Sequence, residues 1–92
     1  MLLRTIGRNG TGPGEFNDPW GIALDGAGHL VVVDQFNHRV QVLNYADGSH
    51  VRTIGSSGRS DGELLYPQGV TIDSDGHIIV CDTNNSRIQV LQ

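Results

Sequence analysis

Asp34, Asn37 and Arg39 lie within a single short stretch, and Asp82, Asn85 and Arg87 repeat the pattern at the same spacing. A guanidinium beside a carboxylate and a carboxamide could face a polar ligand. The same residues could instead make a turn, with the Asp and Asn side chains capping backbone groups and the Arg pairing with the acid. Their recurrence favours the structural role, because each copy must make the same turn. Four histidines raise the question of a metal, but neither His-x-His nor Cys-x-x-Cys spacing occurs, so no tetrahedral zinc site is expected. His29 and His77 occupy equivalent positions that a ring would hold far apart. Cys81 falls in an apolar stretch and reads as a small core residue. There is no Gly-x-Ser-x-Gly elbow with a base partner. The expectation is therefore a protein that is not an enzyme, with no catalytic residues and no cofactor.

Composition narrows the partners. The net charge is −4 and all six basic residues are scattered arginines, so no basic patch for a polyanion is present and RNA is disfavoured. The longest apolar runs, such as Leu30 to Val33, are too short to cross a bilayer, so no membrane association is expected. A single cysteine allows no internal disulfide framework and points to a cytoplasmic setting.

What positions the Asp-Asn-Arg groups is a repeat. Sliding the sequence by 48 residues lays it on itself without a gap. Arg4-Thr5-Ile6-Gly7 falls on Arg52-Thr53-Ile54-Gly55, Pro19 and Gly21 on Pro67 and Gly69, and Asp34, Asn37, Arg39 and Gln41 on Asp82, Asn85, Arg87 and Gln89. Elsewhere the swaps are like for like: Ile22 with Val70, Leu24 with Ile72, Val40 with Ile88.

Each copy predicts short strands between turn signals. Gly21 to Asp25 alternates, with Ile22 and Leu24 on one face. His29 to Asp34 is apolar at both parities, which suits a strand buried on both sides. Gln35 to His38 forms a turn in which Asn37 tolerates left-handed backbone. Val40 to Leu43 and Val51 to Ile54 follow, joined through Asp47-Gly48. A Gly-rich connection then runs from Gly55 to Tyr66.

Four short antiparallel strands recurring at a period in the forties mark a β-propeller blade. The stretches Pro19 to Asp25, Gly28 to Asp34 and Asn37 to Leu43, and their second copy from Pro67 to Leu91, resemble the NHL repeat. The resemblance implies an all-β fold of two four-stranded blades and a ring of six, of which two repeats are a third. It also implies that some relatives bind RNA through a basic face, that a few are enzymes, and that many carry a ubiquitin-ligase module. The acidic balance here departs from the first of these patterns.

The repeat phase predicts the assembly. Residues 8–55 read as one complete blade and 56–92 as a second with only its first three strands. Residues 1–7, with Leu2, Leu3, Arg4, Thr5 and Ile6, read as a fourth strand. It would close the blade of a neighbouring copy along Ile88, Gln89, Val90 and Leu91. Starting at a fourth strand and stopping after a third fits an excised or engineered pair of repeats. Each blade has an apolar face that only another blade covers, and roughly three or more repeats are needed for stability. Covering such a face is worth on the order of 10 kcal/mol before entropy costs. The expected partner is the chain itself, as a head-to-tail homotrimer with strand exchange, or else a homotetramer.

The loops on one rim carry Trp20, Phe36 and His38 in the first copy and Tyr66, Gln68 and Asn84 in the second. These positions differ between copies, and exposed aromatics often anchor partners. The alternative function is therefore recognition of a protein ligand, or of single-stranded RNA, on this face. Packing beneath a neighbouring blade is the structural alternative for the aromatics.

Overall fold

The computed structural model describes residues 1–92. The chain forms two antiparallel sheets. Strands β1 (Pro19–Leu24), β2 (His29–Asp34), β3 (Arg39–Asn44) and β4 (His50–Ile54) lie side by side in chain order. Strands β5 (Val70–Ile72), β6 (Ile78–Asp82) and β7 (Arg87–Leu91) make the second, three-stranded sheet. No helix is long and apolar enough to cross a membrane.

The hairpins follow from local chemistry. Between β1 and β2, Asp25 Oδ1 accepts the N–H groups of Ala27 and His29, both at 2.9 Å. Asp73 repeats this between β5 and β6 with the N–H groups of Asp75 and His77. Between β3 and β4, Asp47 holds the N–H and hydroxyl of Ser49. The β2–β3 and β6–β7 turns are single 3-10 turns, Gln35–Asn37 and Thr83–Asn85. The left-handed residue is not Asn37 but the next one: His38 has φ 54° and Ser86 φ 52°. Asn37 stays in the 3-10 turn because its side chain is engaged elsewhere, as described below.

The two sheets pack face to face. Val31, Val33, Val40 and Val42 of the first sheet form one core with Ile78 and Val80 of the second and Leu64 of the loop before it, flanked by Ile54, Val70, Ile72 and Leu91. A smaller cluster of Phe16, Val32 and Leu43, with Ile6 and Leu30, lies on the outer side of the first sheet. Strand β2 thus contributes to both faces, as its unbroken apolar run requires.

Near β1 the sheets approach closely. A Cβ on Gly21 would lie 2.5 Å from the Gln68 carbonyl oxygen and 3.3 Å from Gly69 Cα. Gly21→Ala should therefore force the sheets apart and cost about 2 kcal/mol, the range of an overpacked core. The equivalent Gly69→Ala, with nothing nearer than Cys81 Sγ at 3.6 Å, should cost much less in a lone chain. Denaturant unfolding of both variants compares them.

In the single chain residues 1–8 adopt no assigned strand. One sequence expectation changes here: Cys81 is exposed, not buried. Its equivalent Val33 is fully buried because the second sheet covers it, while no sheet covers Cys81.

Candidate functional site

The Asp-Asn-Arg stretches place their side chains inward, across the sheet end, and not toward solvent. Asp34 is fully buried. Its Oδ1 accepts the Asn17 N–H at 2.7 Å. Its Oδ2 accepts Asn37 Nδ2 at 3.0 Å, Arg39 Nε at 2.7 Å and Gln41 Nε2 at 3.1 Å. Arg39 continues outward: Nη1 donates to the Thr11 carbonyl at 2.8 Å, and Nη2 to the carbonyls of Gly12 and Glu15, both at 2.9 Å. Asn37 Nδ2 also donates to the Gly10 carbonyl. Asp34 makes no side-chain cap on the 3-10 turn itself. The group instead ties the glycine-rich loop of residues 8–17 to the β2–β3 turn.

The second copy repeats the arrangement. Asp82 accepts the Leu65 N–H at 2.8 Å, Asn85 Nδ2 at 3.0 Å, Arg87 Nε at 2.7 Å and Gln89 Nε2 at 3.1 Å. Arg87 reaches the carbonyls of Ser60 and Glu63, and Asn85 that of Gly58. Arg39 thus directs Nε to Asp34 and both Nη groups to the protein's own carbonyls, whereas Arg87 does so through Nε and Nη2 alone. Gln41 and Gln89 are members that the sequence reading left aside. Gln41 is fully buried, donates to the Glu15 carbonyl and accepts the Gly14 N–H. The signal was available: a polar residue repeated in the middle of an apolar strand. No buried side-chain polar atom is left without a partner.

Electrostatics follow from these contacts. Burial raises the Asp82 carboxyl, but hydrogen bonds from Asn85, the Leu65 N–H, Arg87 and Gln89 outweigh it and hold the group below its ordinary 3.8. Asp25 behaves alike: burial raises it, and the N–H and ring of His29 with the Ala27 N–H lower it further. Asp73 is lowered first by the His77 N–H and then by its ring. A carboxyl depressed in the folded state binds its proton more readily when unfolded. Its stabilisation is therefore complete above the ordinary value and lost as pH falls through the folded one. Stability should be level near neutrality and decline below the ordinary carboxylate value of 3.8. Urea midpoints across an acid series measure this.

Asp73, Asp75 and His77 place one ligand atom each within 4.8 Å of one another. The turn accounts for this grouping, since Asp73 already bonds the N–H groups of both other residues. The first copy makes the same turn with Ala27 in place of Asp75.

On the loop rim, three of the six candidate residues meet. The Tyr66 ring stands edge-on to Phe36 at 5.6 Å and to His38 at 4.4 Å between centroids. The Tyr66 N–H donates to His38 Nδ1 at 3.0 Å, linking the loop before β5 to the β2–β3 turn. Tyr66 has φ 48°, a left-handed position shared by its equivalent Asp18 at φ 56°. Phe36 and Tyr66 keep much of their surface exposed. Trp20 lies apart from them, exposed on β1. Asn84 is exposed, its N–H bound to the Leu65 carbonyl, and Gln68 is half-buried beside Gly21. Gln35, next to Phe36 in the β2–β3 turn, is buried.

Two repeated antiparallel sheets, stacked face to face and each clasped by the same buried carboxylate, are built as neighbouring blades of a propeller. Residues 16–43 and 64–91 each match the family model described as NHL repeat, and the chain belongs to that family. It is similar to human NHL repeat-containing protein 3, 45% identical over 49 residues that are 53% of this chain and 14% of the relative. It is also similar to Protein lin-41 of Caenorhabditis elegans, 41% identical over 53% of this chain and 4% of the relative. The rat E3 ubiquitin-protein ligase TRIM71 is 40% identical over 54% of this chain and 6% of the relative. The chain thus spans a small part of each of these relatives.

Proposed function

We propose that this chain is a non-catalytic interaction scaffold that associates head to tail with copies of itself through its blade faces. A closed homotrimer of six blades is the favoured state and a homotetramer of eight the runner-up. One observation carries the reading. Val40 and Val42 are 0% and 4% exposed beneath the second sheet, whereas their equivalents Ile88 and Val90 are 60% and 62% exposed. The opposite face is complementary: Ile22 and Leu24 stand exposed where Val70 and Ile72 pack into the shared core. Val40, Val42, Val70 and Ile72 of the internal seam therefore each have an exposed apolar counterpart on one of the two bare faces. A second copy could lay one bare face on the other as the internal seam does. Exposed apolar faces of this kind mark interaction surfaces.

Cys81 reports on this directly, because it lies on the bare face where Val33 is buried in the internal seam. Its alkylation by a small maleimide should slow as protein concentration rises and copies cover it. A labelling rate equal to that of an exposed thiol at every concentration contradicts the proposal.

The exposed rings of Phe36 and Tyr66 on the loop rim, with Trp20 exposed apart from them on β1, favour a second role, recognition of a protein ligand. With no lysine and a net charge of −4, this surface suits RNA poorly.

A further inference from the structure

We infer that the cavity between the two sheets, at the end of the seam away from the buried Asp34, binds a small aliphatic monocarboxylate. Its carboxylate sits on Arg52 and its hydrocarbon body lies over Val42 and Val31. Both walls belong to one chain, so the site stands independently of the association proposed above.

The strand register builds the first wall. Val31 of β2 lies opposite Val42 of β3, and Val42 lies opposite Arg52 of β4. Residues directly opposite share a face of a sheet, and so do residues two apart on one strand. Arg52, Val42, Val31 and His29 therefore line the same side, the one on which Val31 and Val42 enter the shared core. Ile72 and Ile78 of the second sheet make the facing wall, and Val51 stands exposed at the edge. A cavity of about 200 Å³ remains between them. Gly76 helps to leave it open, since it lines the space without a side chain and a Cβ there would meet nothing within 4 Å. A benzene-sized molecule fills a cavity of about 150 Å³, so this one takes about eight non-hydrogen atoms.

The polar groups decide what enters and which way round. Asp25 and His29 line the cavity from the β1–β2 hairpin, and Arg52 lines it from β4. Strands β2 and β4 are separated by β3, so these backbones stand roughly 10 Å apart. Asp25 is already satisfied: Oδ1 accepts the N–H groups of Ala27 and His29, and Oδ2 accepts His29 Nδ1 at 2.7 Å. Arg52 donates through Nη1 to the Gln92 carbonyl at 2.8 Å, and its Nε and Nη2 bond no other residue. An anion is thus drawn to the Arg52 end and kept from the Asp25 end. An ammonium group would meet the guanidinium at one end and an acid already engaged at the other. Water fits the middle poorly, because it needs two or more polar partners and Val31, Val42, Ile72 and Ile78 offer none. Apolar walls with a few polar groups that fix orientation are the make-up of a small-molecule site.

Nuclear magnetic resonance of the full chain tests this with 4-methylpentanoate, its amide and 4-methylpentylamine. The carboxylate should shift the methyl signals of Val31, Val42 and Ile78 with a Kd on the order of 1 mM, as suits about eight non-hydrogen atoms. The amide should bind at least about tenfold more weakly, and the amine should shift nothing at these residues. Arg52→Gln alters an exposed side chain and should bring the carboxylate down to the level of the amide while leaving the amide unchanged. Val51→Phe fills the cavity from its exposed edge and should block both. Equal binding of the three compounds, a carboxylate affinity that survives Arg52→Gln, or no shift at the seam methyls at tens of millimolar overturns the proposal.

Discussion

Asp34→Ala should destabilise the chain by about 3–5 kcal/mol, the cost of stranding one partner of a buried ion pair. The alanine leaves Arg39 Nε, Asn37 Nδ2, Gln41 Nε2 and the Asn17 N–H facing an empty acceptor. Water reaches this site poorly, because Arg39 is only 14% exposed at the side chain and Asp34 not at all. Asp82→Ala removes the same set of bonds in the second copy, but Arg87 is 29% exposed and can recover solvation. The loss at Asp82 should therefore be smaller than at Asp34. Urea unfolding of both variants checks the size and the order. A loss below about 1 kcal/mol at Asp34 would place this group among solvent-exposed ion pairs and outside the core.

The other large effect concerns association. Ile88→Asp puts a carboxylate on the bare face, at the position where Val40 is fully covered in the internal seam. Burying an unpaired carboxylate costs several kcal/mol, so each contact between copies should weaken by about 4 kcal/mol, roughly a thousandfold. The substitution touches a side chain already 60% exposed in the single chain, so the fold of one chain should survive. Far-ultraviolet circular dichroism should be unchanged while the assembly dissociates. Loss of secondary structure together with the assembly would mean that the blades do not fold apart from one another. An unchanged assembly would mean that this face is not the contact.

Much of the fold was legible in the sequence because its signals are local. Asp-Gly turns and alternating apolar residues fixed the hairpins, and the unbroken Leu30 to Val33 run announced a strand covered on both sides. The gap-free repeat then carried the second sheet over from the first. Cys81 was misread because the repeat compares residue types, whereas burial depends on what covers each copy. Val33 has a sheet above it and Cys81 does not. Asn37 was misplaced for a different reason. Its tolerance of left-handed backbone is a weak preference, and the bonds of its carboxamide to Asp34 and Gly10 outweigh it. That leaves His38 and Ser86 to take the left-handed position.

The clasp was half legible. The spacing of Asp34, Asn37 and Arg39 exposed a local group, but its main contacts lie in the loop of residues 8–17, more than twenty residues earlier in the chain. A pattern read along the chain does not carry such distant partners. Gln41 could have been added, since a repeated glutamine within an apolar strand needs buried hydrogen-bond partners. Phe36, His38 and Tyr66 meet because of how the two sheets pack, which a pattern read along the chain does not carry, while Trp20 lies apart on β1.

Everything proposed for assembly depends on apolar faces that a single chain leaves uncovered. Multi-angle light scattering after size exclusion, over a range of concentrations, tests this most directly. The predicted result is a particle of three times the 9.9 kDa of one chain, or four times in the runner-up arrangement. A particle of single-chain mass that persists at high concentration would contradict it.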